Sequence, residues 1–420
     1  MINTNTPNRI RASDLPVIIS RNSKIRQSVQ RTVQIYVFAL MIGGYSKSLK
    51  NIAIILGATT CSLSRMLSNT LLDDELKITI NRKTRRLIAA YINKHGKITA
   101  EIIIDSTIIE RSSGKAENAS LYQSNGKKVW GHRITNIGIL LDGSFYVPLA
   151  ALSHHTHRYA RSLGLSYLTE GMMVRRWLRD HMNGIINLLK IGKIMPEDIT
   201  FLLDAGYDNA DIQNSIRYIG CHFIMMAKST RSISGFQIRK FFTRNRCLKW
   251  ESKYLNKDVN GKIKRRKYRI RTAEKVNLAR VGLVNAVCSE KASGSCKKKK
   301  TRRYLITSRL DLDGREILKR YARRWTIEIW HKSIKQNYGL GDCSASGFSS
   351  IQNHISLCII AYLSHLEKMK HFPSKGTTIE EYLQYSIRKQ SRMTLRLIDG
   401  GSNMEQQLEK YRKEIFSDAV

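Results

Sequence analysis

An α/β fold with helical segments at both ends is predicted for this 420-residue sequence, from three observations. Short apolar runs rich in β-branched residues, IIID at 102–105, FLLD at 201–204 and YLIT at 304–307, read as buried strands. The pair Asp142-Gly143, set between two apolar runs, reads as a hairpin turn. Helical periodicity returns between the strands, at 165–192, at 210–220 and again from about Arg315. Alternation of this kind builds a sheet covered by helices.

The elements follow in chain order. Residues 1–98 read as a helical domain. Within it, YSKSLKNIAIILGATTCSLSRMLSN outlines two helices around Gly57. That outline fits a helix-turn-helix that binds DNA, and it also fits a plain helical bundle. Residues 99–228 form the first part of the α/β core. They run as a strand (100–110), a hairpin (133–152), an amphipathic helix (165–192), a strand (198–204), a short helix and a strand (221–228). The alternation stops over 229–302, which reads as a β-rich insertion carrying two dense basic runs, GKIKRRKYRIR and CKKKKTRR. The core resumes over 303–370 with a strand, a turn and a long helix. Residues 371–420 read as a C-terminal helical segment.

Composition narrows the function. Apolar residues make up 42% of the chain, enough for a large core. Lys and Arg number 72 against 33 Asp and Glu, a formal charge of +39. Such an excess repels itself in a folded chain, and its usual counterpart is a polyanion, above all nucleic acid. An anionic membrane surface is the other partner of that sign. No run of about 18 apolar residues is present to cross a bilayer, and the N-terminus lacks the apolar core of a signal peptide. The seven cysteines form no Cys-x-x-Cys pair, which argues against a zinc ribbon or a disulfide framework and fits a reducing cytoplasm.

Asp105 and Asp204 each end an apolar strand, where an acid is poorly solvated. One such acid reads most simply as a turn cap; two in so basic a chain point to chemistry. Strand-end carboxylates that converge can hold Mg²⁺ or Mn²⁺, which prefer oxygen ligands. Two such ions about 4 Å apart activate the attacking oxygen and stabilise the leaving one in phosphoryl transfer. A third acid is needed, and Glu328 fits. At about 100° per residue, Tyr321, Arg324, Glu328 and Lys335 share one helix face, with Ile327, Trp330 and Ile334 opposite. The alternative is an ordinary amphipathic helix with Glu328 paired to a neighbouring Arg or Lys. Asp208 and Asp211 are expected to cap the helix after Asp204.

The spacing Tyr321-x2-Arg324-x3-Glu328-x6-Lys335, with "IIIDST", "DAGYDNADI" and "YLITS", resembles the bacterial insertion-sequence transposases of cut-and-paste type that carry a Tyr-Arg-Glu-Lys motif. The resemblance spans about residues 100–370. It implies a ribonuclease-H-like catalytic core, a mixed sheet flanked by helices, with Asp105, Asp204 and Glu328 as catalytic acids and ligands of two Mg²⁺ (or Mn²⁺) ions. It also implies a β-rich insertion between the second and third acids. Tyr321, Arg324 and Lys335 would hold DNA phosphate. Expected partners are the terminal inverted repeats and target DNA, with a homodimer in the synaptic complex, in a bacterial cytoplasm at the nucleoid. Some relatives carry Asp-Arg-Glu-Gly at the second acid; here it is Asp204-Ala205-Gly206-Tyr207, so their handling of a DNA hairpin does not carry over. In some relatives an insertion tryptophan stacks on a flipped base. Trp250 is the candidate here, with core packing as the other reading. Against a transposase stand two alternatives: a nuclease of the same fold that cuts without joining, and a non-catalytic DNA-binding regulator descended from a transposase.

Overall fold

The computed structural model describes residues 19, 23–41, 46–56, 58–96, 98–124, 126–245, 247–259, 262–291 and 302–367. The expected helices of 371–420 lie outside them. So does most of CKKKKTRR.

Four helices open the chain: α1 (Gln27–Met41), α2 (Leu49–Leu56), α3 (Thr60–Leu67) and α4 (Leu72–His95). Thr59 caps α3, its hydroxyl accepting from the Ser62 N–H. Helix α3 turns Leu63, Met66 and Leu67 inward and leaves Thr60, Cys61, Ser62, Ser64 and Arg65 exposed. Strand β1 (Ala100–Arg111) follows, then β2 (Ser120–Ser124), β3 (Lys127–Leu141) and β4 (Phe145–Ser153). The β3–β4 turn places Asp142 at φ 49° and Gly143 at φ 67°. Positive φ at both central residues is what an Asp-Gly pair favours, and its twist matches that of the strands. Strand β2 was not foreseen. It pairs with the first half of β3, which carries the basic stretch KKVWGHR.

After α5 (His157–Ser162) and α6 (Glu170–Lys190), the chain alternates β5 (Thr200–Leu203), α7 (Ala210–Tyr218) and β6 (His222–Ala227). The residues between β6 and the next core strand supply β7 (Ser232–Ile233), β8 (Phe236–Gln237), α8 (Ile238–Arg244), β9 (Glu251–Val259), β10 (Lys262–Leu278) and β11 (Gly282–Lys291). Strand β12 (Arg302–Thr307) and helices α9 (Gly314–Ala322), α10 (Trp325–Tyr338) and α11 (Phe348–Glu367) complete the described chain.

The described strands join one mixed sheet in the order β2-β3-β1-β5-β6-β12-β11-β10-β7-β8, with β4 on β3 and β9 on β10. Strand β1 lies between antiparallel β3 and parallel β5. Buried on both faces, it is a continuous apolar run, with Ile102, Ile103 and Ile104 at 0% exposure. A mixed sheet flanked by helices is consistent with a ribonuclease-H-like core. The described strands of 229–302 extend that sheet. Helix α11 is apolar nearly all round and packs against α1, α3, α4, α10 and β4, so it is buried on every side. Buried side chains from Val33 in α1 to Leu366 in α11 form one contiguous core. Among the described residues no helix is long and apolar enough to cross a membrane.

Candidate active site

The register of the central strands decides where the acids go. In β1, Asp105 stands opposite Asn136 of β3, so both side chains share a face. Parallel pairing of Ile104 with Leu203 brings Asp204, the next residue after β5, beside Asp105. Asp204 has extended backbone and opens the 3₁₀ turn Ala205–Tyr207. Helix α10 crosses β1 on that face and presents Glu328 in its first turn. Asp105, Asp204 and Glu328 therefore face one locality.

The segment expected as one helix is two. Helix α9 ends at Ala322 and α10 begins at Trp325. Between them Arg323 and Arg324 make tight bonds, their N–H groups donating to the carbonyls of Arg320 and Tyr321. The angular count from Tyr321 to Glu328 thus crosses a break. What fixes the junction is a pair of ion pairs to β1: Arg323 to Glu101 at 2.6 Å and Arg324 to Asp105 at 3.2 Å. Glu101 and Asp105 are four residues apart on one strand face. Consecutive arginines therefore grip β1 at two points. Burial pushes the Glu101 carboxyl up, and Arg323 works against that.

Arg324 is the centre of the charge arrangement. One terminal nitrogen donates to Asp105 Oδ2 at 3.2 Å and the other to Glu328 Oε1 at 2.5 Å. The alternative of a Glu328 paired to a neighbouring arginine is thus what the geometry shows. Burial opposes the charge on Arg324, and Tyr321, Asp105, Asp204 and Glu328 more than restore it, so its pKa rises. Tyr321 is neutral near pH 7, because burial pushes its hydroxyl up, so the carboxylates carry this effect. Its ring lies 5.9 Å from the Arg324 guanidinium. Burial also pushes Asp105 up to about 6, opposed by Arg324 and reinforced by Asp204 and Glu328. The Asp204 Oδ1 atom is buried and accepts no hydrogen bond among the described residues.

Three residues outside the motif support the site. Asn136 Nδ2 donates to His331 Nε2 at 2.9 Å, linking β3 to α10. Burial, with Lys335 and Arg324 nearby, pushes His331 down to about 3, so it is neutral and can accept that bond. Tyr207 donates to Glu170 at 2.5 Å and holds the turn after Asp204 against α6. Sequence reading passed over Glu101, Asn136 and Tyr207, because their partners lie far along the chain. Lys335 does not project freely: its Nζ donates to the Ile108 carbonyl at 2.9 Å. Asn209, rather than Asp208 or Asp211, caps α7. Asp208 accepts from the Lys228 N–H, and Asp211 pairs with Arg175 and Arg280.

Trp250 directly precedes β9. It is half-buried against the core, with the guanidiniums of Arg269 and Arg271 at 4.7 and 4.4 Å from its ring. It lines a cavity of about 560 Å³ with Arg239, Arg302, Glu290 and Tyr304.

Three carboxylates, one with an unpartnered buried oxygen, have the donor chemistry a hard divalent cation requires. Their present spacing does not yet make a binding set: among the described residues no three Asp, Glu, His or Cys side chains are close enough to hold a metal ion together. The Arg324 guanidinium stands between two of them and supplies the positive charge.

A family model described as the transposase DDE domain matches residues 97–364, a stretch that begins three residues before β1 and ends within the last turn of α11. No curated protein matches the chain.

Proposed function

The chain belongs to the transposase DDE-domain family, and from that premise we propose that it binds the ends of a mobile DNA element, cleaves them by metal-dependent hydrolysis and joins the 3′-hydroxyl ends to target DNA. The observation that carries the reading is the convergence of Asp105, Asp204 and Glu328 on one face of β1, β5 and α10. The Tyr-Arg-Glu-Lys spacing supports reading it as one of the bacterial insertion-sequence group. DNA is the partner that the family and the charge of +39 both indicate.

In this reading Asp105, Asp204 and Glu328 hold Mg²⁺ or Mn²⁺, two ions in all. Bound metal supplies a nucleophilic oxygen at neutral pH and stabilises the leaving oxygen. The chain's own residues do the rest. Arg324 and Lys335 grip phosphate oxygens, Arg324 as a planar fork and Lys335 as a point charge. The Tyr321 hydroxyl donates to a phosphate. Asn136 and His331 fix the first turns of α10 over β1, and Tyr207 steadies Asp204. Trp250, with arginines over its ring, offers a stacking surface for a base. The exposed polar face of α3 reads DNA ends, and a homodimer synapses two of them.

Asp105→Asn and Glu328→Gln are each expected to abolish strand cleavage while retaining end binding, measured on labelled duplex by gel and by band shift. Full cleavage by either variant would remove that residue from the catalytic set. A strand-transfer assay with pre-cut ends separates this reading from a nuclease that cuts without joining. Cleavage itself separates it from a non-catalytic regulator.

A further inference from the structure

Arg324 faces two competing demands. One N–H of each terminal nitrogen is turned to the acids, to Asp105 Oδ2 and to Glu328 Oε1. Those carboxylates are the proposed metal ligands, and the same fork is the proposed phosphate grip. A guanidinium at that position neutralises the acids and holds them in a geometry set by its own planar spacing, not by a spherical cation. Among the described residues no three such side chains are gathered to hold a metal ion. The side chains of Arg324 and Asp105 are 13% and 16% exposed, and that of Glu328 is 30% exposed.

We propose that Arg324 is a positioning residue that occupies the cation position between Asp105 and Glu328 until a DNA phosphate draws it away, so that metal loads onto these acids together with DNA. The inference rests on the metal-ligand reading above. Its physical basis is charge balance. Removing Arg324 from the acids leaves two carboxylates unpaired, Asp105 largely buried and Glu328 partly so, which a divalent ion relieves. Moving the fork to phosphate keeps it paired, because the phosphate offers the same two-oxygen geometry as a carboxylate. Neither exchange is favourable alone in so buried a site, and the two together conserve every charge pair. Metal and DNA therefore bind with positive coupling, and by linkage each strengthens the other by the same factor. The site stays closed to free metal and to unguided hydrolysis while no DNA is bound.

The test uses the full chain with Mn²⁺ alone and no DNA, the free ion being counted by electron paramagnetic resonance. Arg324→Gln is expected to bind Mn²⁺ at least tenfold more tightly than the wild type, while melting at a lower temperature without metal and gaining more from its addition. A merely structural arginine would lower the melting temperature without raising metal affinity. Arg324→Lys keeps one charge but cannot bridge both acids, and is expected to fall between the two. It carries the test alone if Arg324→Gln does not fold. Affinities no tighter than the wild type in both variants, or in Arg324→Lys alone when it is the one that folds, overturn the proposal. If that occurs while Asp105→Asn weakens Mn²⁺ binding, the role of Arg324 falls and the ligand assignment stands. If the doubly substituted Asp105→Asn/Arg324→Gln chain keeps a tight Mn²⁺ site, the ligand assignment falls and this inference with it.

Discussion

Replacing Arg323 by alanine isolates the other half of the double grip on β1. Glu101 is 3% exposed at its side chain and Arg323 29%, with 2.6 Å between them. The second Glu101 oxygen, Oε2, is buried and already without a hydrogen-bond partner among the described residues. Truncating Arg323 leaves a buried carboxylate without its ion-pair partner, with Arg320 as the remaining nearby positive charge. Breaking a buried pair from one side costs about 3–5 kcal/mol. Because Arg323 is partly wet, the low end applies, about 3 kcal/mol. Neutralising the acid as well removes the stranded charge, so Glu101→Gln/Arg323→Ala should recover roughly two-thirds of that loss. Protonation does the same. Glu101 has a folded pKa above its unfolded one, so its ionised form opposes folding as pH rises past the unfolded value. Losing Arg323 enlarges that rise, and the gap between variant and wild type should narrow as pH falls from 8 toward 5. Urea denaturation of the single and double variants at several pH values measures all of this. An Arg323→Ala loss under about 1 kcal/mol, or a double variant no better than the single one, would refute the reasoning that a stranded Glu101 charge is what the pair prevents.

Two further outcomes follow from buried groups around α10. His331 is held neutral, with its folded pKa near 3 and an ordinary unfolded value of 6.5. Below 6.5 the unfolded chain takes up a proton that the folded chain refuses. Stability should therefore fall as pH drops from 6.5 to 4, by about 2 kcal/mol from this residue at pH 5. His331→Gln should flatten that part of a stability-against-pH curve, and an unchanged slope would show that another group sets it. Gly339 ends α10 at φ 69°, and a Cβ there would lie 2.2 Å from the Lys47 Cβ. Gly339→Ala should lose about 2 kcal/mol or more, from left-handed strain and from displacing Lys47. Equal melting temperatures for Gly339→Ala and wild type would contradict this packing.

Much of this protein was legible along the chain because its signals are local. Three isoleucines before Asp105 specify a buried strand wherever they are placed. Asp142-Gly143 specifies its turn because few other pairs tolerate two positive φ values. The Tyr-Arg-Glu-Lys spacing by itself points to a transposase DDE domain. Strand β2 escaped because its residues neither alternate cleanly nor form an apolar run, and its pairing with β3 supplies the missing order. The break between α9 and α10 escaped for a related reason: no Pro or Gly marks it. It is imposed by Glu101 and Asp105, more than two hundred residues earlier, pulling Arg323 and Arg324 toward β1. The sequence by itself marked Asp105, Asp204, Glu328 and Arg324 as candidates for the site. Only the tertiary structure decided that Arg324 is paired with two of those acids, because charge pairing depends on which side chains the sheet register brings within a few ångströms.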